Sequence, residues 1–281
     1  MQFAGAVPEH RAPLEESQDC VEQAPIGVGV PAPVDATGDS PASSDGFWRR
    51  MNPQLRVLLS HWAPIVRVEN DASLAAVAEG AVGAAIGCRN YITLLAGERF
   101  GAGVVIDGRL LRGTHGGVGE LQALDHVIGV ESAWGIGHRV AEWAGEDIAL
   151  GRIGADHPLT KIPRHRLTGG AVLELAGEGD PDARRIVARA GAVLARVGGV
   201  LGSLFDPELI IISGAVAARI NDVITVAESL LPDQLGLPEP RMVPSTLGAE
   251  VVAVGAVYAA LEAAREGVLT LRPARLPIHL R

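Results

Sequence analysis

The chain has 281 residues, 48% hydrophobic and 20% charged, with a formal net charge of −9. That length supports one large domain or two lobes around a sizeable core, and the composition excludes a disordered chain. The acid excess, with no basic stripe, excludes direct nucleic-acid binding by this chain.

Two cysteines, Cys20 and Cys88, are too few for a disulfide framework and point to a reducing compartment. The N-terminus carries Glu9, Glu15 and Glu16 and no apolar run, so it does not read as a signal peptide. The most apolar stretch, Gly191 to Phe205, is interrupted by Arg196, and no membrane span is predicted. A cytoplasmic location is expected.

Residues 1–24 are polar and unpatterned. Ile26 to Val34 reads as a buried strand running into a Pro-rich turn, Gly38 to Gly46 as a loop, and Asn52 to His61 as a short helix. Ile65 to Val68 is a short strand that ends in Glu69-Asn70-Asp71. A helix follows from Ala72 to about Ala85, with Leu74, Val77, Ala78 and Ala81 at amphipathic spacing. Tyr91–Leu95 and Val104–Ile106 are strands around the segment GERFGAG, and Asp107-Gly108 supplies a tight turn. GTHGGVGE (113–120) is loop. Ser132–Ala144 and Asp182–Phe205 are helical, the latter with Ile186, Ala190, Leu194, Val197 and Leu201 on one face. Leu209–Ile212 is a buried strand closed by Ser213-Gly214, and Gly248–Glu266 is the last helix. The tail beyond Gly267 reads as peripheral.

Strands alternating with helices predict an α/β fold, in which ligands bind beyond the carboxyl ends of strands. Three strand exits carry carboxylates or glycines: the one ending in Asn70-Asp71, GERFGAG and GTHGGVGE. A carboxylate at a helix start, such as Asp71, is held ionised by the helix macrodipole and can accept a hydroxyl's hydrogen bond or its proton. Asn70 or Asp71 equally reads as the cap of the helix from Ala72. Glu120 reads either as an exposed loop carboxylate or as a ligand contact. Gly101 and Gly103 read as tight turns between strands.

Five segments in order, GVPAPVD (29–35), VENDASLAAVAEG (68–80), FGAGVVIDGRLLRGTHGGVGE (100–120), FDPELIIISG (205–214) and LGAEVVAVGAVYAAL (247–261), carry a resemblance to the ROK family of repressors and sugar kinases. The resemblance implies an α/β actin-like ATPase (ribonuclease H-like) fold of two lobes, with sugar and nucleotide between them. It divides the chain into a polar segment (1–24), a remnant of the small lobe (25–90) with helix 248–266 packing back on it, a large lobe (91–247) and a tail (267–281). The small N-terminal lobe is expected to be incomplete, the chain starting after the family's first hairpin with its Asp-x-Gly-Gly-Thr phosphate loop. Dimerisation is expected to cover the strand edge so exposed.

By the same resemblance Asp71 matches the general base of the kinases, Asn70 a sugar contact and Glu120 the sugar-binding glutamate. Where the family continues that glutamate with a glycine and a zinc-ligating histidine, this chain has Gln122 and Ala123; His126 stands three residues further on, as a stand-in or as a surface residue. The segment HVIGVESAWGIGHRVAEW holds none of the family's zinc cysteines, and His115, His126 and His138 do not resemble that cluster, so no zinc is expected. The second phosphate loop, usually Gly-Thr-Gly-x-Gly-x-Gly, reads Gly97-Glu98-Arg99-Phe100-Gly101-Ala102-Gly103, which sets a carboxylate against a polyphosphate. Ser213-Gly214 stands for the adenosine-side Gly-Gly. Gly101, Gly103 and Gly214 are thus the weak nucleotide candidates. No cofactor is expected, with ATP and Mg²⁺ required only of a kinase. The expected function is a sugar-sensing regulator domain with a hexose or related sugar as its ligand. The alternatives are an ATP-dependent, glucokinase-like sugar kinase with Asp71 as base, and a degenerate paralogue that binds nothing.

Overall fold

Two parallel strands, β1 (Ile26–Val30) and β2 (Val66–Asn70), form the first sheet, with Ile26 opposite Val66 and Val30 opposite Asn70. The structure, a computed structural model, describes residues 24–43, 46–231 and 238–267. The expectations for the N-terminal segment and the tail lie almost wholly outside those residues. A second sheet runs in the order β5 (Arg109–Leu110), β4 (Gly101–Ile106), β3 (Tyr91–Leu95), β6 (Leu209–Ser213), β7 (Arg241–Pro244). Its β3–β4 and β4–β5 pairs are antiparallel, and its β3–β6 and β6–β7 pairs parallel.

The central strands are mostly apolar because they are covered on both faces: Ile92, Leu94, Ile210, Ile211 and Ile212 are fully buried, as are the hydroxyl residues Thr93 and Ser213. Between the sheets lies α3 (Asp71–Val82), packed against β3 and β4 on one side and α8 (Val251–Gly267) on the other. This sandwiching explains a departure from the expected amphipathic helix. Ala72, Leu74, Ala75, Ala76, Ala78 and Glu79 are all buried, so almost the whole circumference is core. The helix stops at Val82, short of Ala85, where the Glu79 side chain turns to accept from the Ala84 N–H at 2.9 Å.

On the far face, α4 (Ile136–Ala149), α5 (Gly169–Gly177), α6 (Pro181–Phe205) and α7 (Asn221–Leu230) pack side by side. Asp180 caps α6 through the Ala183 N–H at 2.8 Å, and Pro181 occupies its first turn. The predicted apolar face is in place, with Ile186, Ala190, Leu194, Val197 and Leu201 buried. By length and composition α6 could cross a membrane, yet here most of it packs inside the molecule.

Of the predicted helix 52–61 only the single turn α2 (Leu55–Leu59) forms, and another turn, α1 (Phe47–Met51), precedes it. They break at Asn52-Pro53. The Asn52 amide bonds out to the Gly38 carbonyl (3.1 Å) and Ser40 Oγ (3.0 Å), and Pro53 has no N–H to continue the first turn. Helix α4 starts at Ile136 and not at Ser132, because Trp134 is held extended in a bridge to Arg99.

Candidate functional site

Asn70 ends β2 and caps α3. Its Oδ1 accepts from the Ser73 N–H at 3.0 Å, and its Nδ2 donates to the Ala32 carbonyl at 3.2 Å, tying the GVPAPVD turn to the helix. The cap is therefore Asn70 and not Asp71, which opens the helix and is free to face outward. The Asp71 carboxylate accepts from the Ala72 N–H, at 2.8 Å to Oδ1, and from its own backbone N–H.

Asp71, Asn70 and Glu120 line one cavity of about 710 Å³, with Pro31, Trp48, Arg99, Gly101 and Gln122 around them. Glu120 reaches it through a bridge to Gly101 at the head of β4. The approach is close: Gly119 has φ +91°, a Cβ there would strike the Ala102 carbonyl, and the Ala102 N–H bonds the Gly119 carbonyl at 3.0 Å.

Burial pushes the Asp71 carboxyl above its ordinary value, offset in part by the Ala72 N–H. This runs against the direction expected from the helix start alone: loss of water outweighs the dipole. Glu120 also moves up, through burial first and then the charge of Asp71, while Arg99 pulls it down. The charge of Asp71 therefore reaches Glu120.

The glycines divide. Gly101 lines the cavity. Gly103 does not, and neither glycine is in a turn: both lie within β4, which begins three residues before the predicted strand. At Gly103 a Cβ would strike the Ala72 carbonyl and the Ala76 Cβ, so this glycine lets α3 lie against the strand. Gly214 follows β6 with φ +89° beside a second cavity of about 730 Å³ that Ala215 and Val216 help to line.

That second cavity is also lined by Gly97, Glu98, His138, Glu142, Arg164 and Thr168. Glu98 Oε1 lies 2.9 Å from His138 Nδ1, and Glu142 Oε2 lies 3.8 Å from His138 Nε2. Two carboxylates against Arg164 and one histidine do not fit a magnesium-bound polyphosphate, which would meet Glu98 directly. Among the described residues no group of three His, Cys, Asp or Glu side chains is placed to hold a metal ion. His126 is exposed at the end of the turn 122–126, away from the cavity, and does not stand in for a sugar-contacting imidazole.

Two structural supports escaped the sequence reading. Arg139, in α4 and 8% exposed, donates to the carbonyls of Val130 (2.8 Å), Ser132 (2.9 Å) and Trp134 (2.8 Å) and to Ser132 Oγ (2.7 Å). Asp125 Oδ1 accepts from the Ala133 N–H at 3.0 Å. Together they clamp the segment whose Ala133 lines the cavity. The Glu69 carboxylate, 2% exposed, takes Arg67 Nη2 at 2.9 Å and Arg112 Nε at 2.7 Å, while its other oxygen accepts the Asn70 N–H at 3.3 Å. A buried charge doubly paired in this way fixes the strand end that presents Asn70 and Asp71.

A family model described as the ROK family matches residues 14–263. The chain is 32% identical over 193 residues to the bifunctional enzyme NanE/NanK of Brucella suis biovar 1, covering 68% of this chain and 34% of that protein. It is 26% identical over 162 residues to the xylose repressor of Lactiplantibacillus pentosus, covering 57% and 39%. It thus spans well under half the length of these curated relatives. A ROK family glucokinase from Streptomyces griseus, solved with glucose and AMPPNP, superposes with a TM-score of 0.67 at 25% identity, over 85% of this chain and 82% of that one. The ROK hexokinase from Thermus thermophilus gives 0.62 at 27%, over 86% and 79%. A ROK transcriptional regulator homologous to the E. coli Mlc protein gives 0.58 at 20%, over 78% and 57%, a likeness of fold.

Proposed function

Since this chain belongs to the ROK family and has its actin-like ATPase fold, we propose that it binds a hexose or related sugar between Asp71 and Glu120 and acts as a sugar-sensing regulator domain without kinase activity. The observation that carries the reading is the meeting of those two carboxyls in one cavity, far apart in sequence and short of protein donors. Sugar hydroxyls are the donors that such acceptors lack. Asn70 keeps one Nδ2–H beyond the one given to Ala32, available to a sugar oxygen.

Catalysis of phosphoryl transfer rests on positioning and charge neutralisation around the phosphates. Glu98 in the 97–103 segment and Glu142, both beside His138, work against that neutralisation. The kinase reading keeps one observation in its favour: Asp71 faces the cavity where a base would take a hydroxyl proton. In the sensor reading the chain is cytoplasmic, touches no nucleic acid itself, and dimerises over the edge of β1, which pairs only with β2 among the described residues. A monodisperse monomer in light scattering would count against that dimer.

Calorimetry with a panel of hexoses and N-acetylhexosamines, without nucleotide, tests the reading. Saturable binding that Asp71→Ala abolishes is expected, with no sugar-dependent release of ADP from ATP. Release that depends on both sugar and Asp71 would establish the kinase. Folded protein that binds no sugar would be a degenerate paralogue.

A further inference from the structure

Arg99 and Glu120 line one cavity with opposite charges, yet no ion pair joins them among the described residues. Both are set by the same strand. Gly101 at the head of β4 bridges to Glu120, and Arg99, two residues earlier, bridges to Trp134. The Arg99 guanidinium lies over the Trp134 ring, 4.8 Å from its centroid. That ring is itself held, stacked on His138 at 4.2 Å and with its backbone carbonyl taken by Arg139. The guanidinium therefore has an aromatic platform, while its N–H fork has no protein acceptor among the described residues.

A guanidinium is charged at every relevant pH, and its fork matches the paired oxygens of a carboxylate or phosphate. The neighbouring acid that could have answered it, Glu98, lines the other cavity and is engaged by His138 at 2.9 Å. What remains is a cavity lined by two acceptor carboxyls, Asp71 and Glu120, and by the donor fork of Arg99.

We infer that the ligand of this cavity is an anionic sugar, its hydroxyls donating to Asp71 and Glu120 and its oxyanion, phosphate or carboxylate, held by Arg99. The inference rests on the sugar-binding reading and narrows it. A neutral hexose would displace water from the fork without supplying an anion.

The experiment is calorimetry on the full chain near neutral pH with glucose, mannose and N-acetylglucosamine, the 6-phosphate of each, glucuronate and mannuronate, and inorganic phosphate as control. At least one anionic sugar is expected to bind about tenfold to a hundredfold more tightly than its neutral parent. Arg99→Ala should remove that advantage and Arg99→Lys restore part of it. A preference confined to the phosphates or to the uronates identifies which oxyanion is read. Arg99 is exposed, so the variants should fold, and unchanged melting temperatures would verify this. Equal binding of neutral and anionic sugars, unaltered by Arg99→Ala, would overturn the inference and leave sugar binding intact. Absence of saturable binding by every sugar, or binding of inorganic phosphate alone, would remove both.

Discussion

Glu120 titrates above its ordinary value because burial, and then the charge of Asp71, disfavour its ionised form. Asp71 moves the same way through burial. Both carboxyls therefore take up a proton at a higher pH than the same groups in water. Ligand hydroxyls require ionised acceptors. Affinity for a neutral sugar is therefore expected to decline on acidification before the ordinary values of 3.8 and 4.5 are reached. Dissociation constants measured from neutral pH down to about pH 4 check this. An affinity constant over that whole range would show that neither carboxylate accepts from the sugar.

The same shift makes a statement about stability. A carboxyl whose folded pKa lies above its unfolded one binds protons more readily in the folded state. Stability therefore falls as pH rises through the folded value, and the ionised form carries the full penalty at neutral pH. Asp71→Asn removes that charge and keeps an oxygen for the Ala72 N–H. It is expected to raise stability at neutral pH by roughly 0.5–2 kcal/mol, a trade-off common at functional sites, while abolishing sugar binding. Thermal melts of both proteins at neutral pH and near pH 4 provide the check. The gain should shrink at the lower pH, where the wild-type carboxyl is becoming protonated.

Arg139 closes four hydrogen bonds on a segment only five residues long, Val130 to Trp134. Burial lowers its pKa, a sign of a charge held out of water. Arg139→Met would strand three carbonyls and a hydroxyl, and about 2–4 kcal/mol of stability should go with them. Arg139→Lys should recover little, since an ammonium cannot span the groups that a planar fork reaches. Denaturant midpoints measure both. A chelator is expected to leave the wild-type midpoint unchanged, since hydrogen bonds from Arg139 and to Asp125 hold the segment.

Much of this was legible in the sequence wherever one physical signal dominated. The apolar run Leu209–Ile212 marked β6, and the apolar face of 182–205 marked α6, which begins one residue earlier, at Pro181. The Asn70-Asp71 exit and Glu120 were found as candidate contacts, and the structure brings them to one cavity. Other elements gave mixed signals. Helix α7 contains Val-Ile-Thr-Val, β-branched residues that argue for a strand, and it is helical because Val223, Ile224 and Ala227 pack on α6. Arg139 and Glu69 were passed over because a charged residue in a helix or strand pattern reads as facing water, and only tertiary partners reveal otherwise. Gly101 and Gly103 were read as turns because glycine composition does not distinguish a turn from a strand that another backbone approaches.

Gly103 tests that last distinction. It pairs with Thr93 in the middle of the sheet, and a methyl group there would run into the Ala72 carbonyl and the Ala76 side chain. Were Gly103 present only for backbone freedom, Gly103→Ala would change stability by well under 1 kcal/mol. Because it fills a contact between β4 and α3, the added methyl must push the helix away, at a cost of about 1–3 kcal/mol. The displaced residue is Ala72, whose N–H anchors the Asp71 carboxylate, so sugar affinity should weaken with stability. Gly97→Ala is the matched control, since a Cβ there meets nothing within 4 Å. Urea midpoints and sugar binding of the two variants should separate cleanly, with Gly103→Ala impaired in both and Gly97→Ala close to wild type. If the two behaved alike, the close approach of α3 to β4 would have no part in shaping the site.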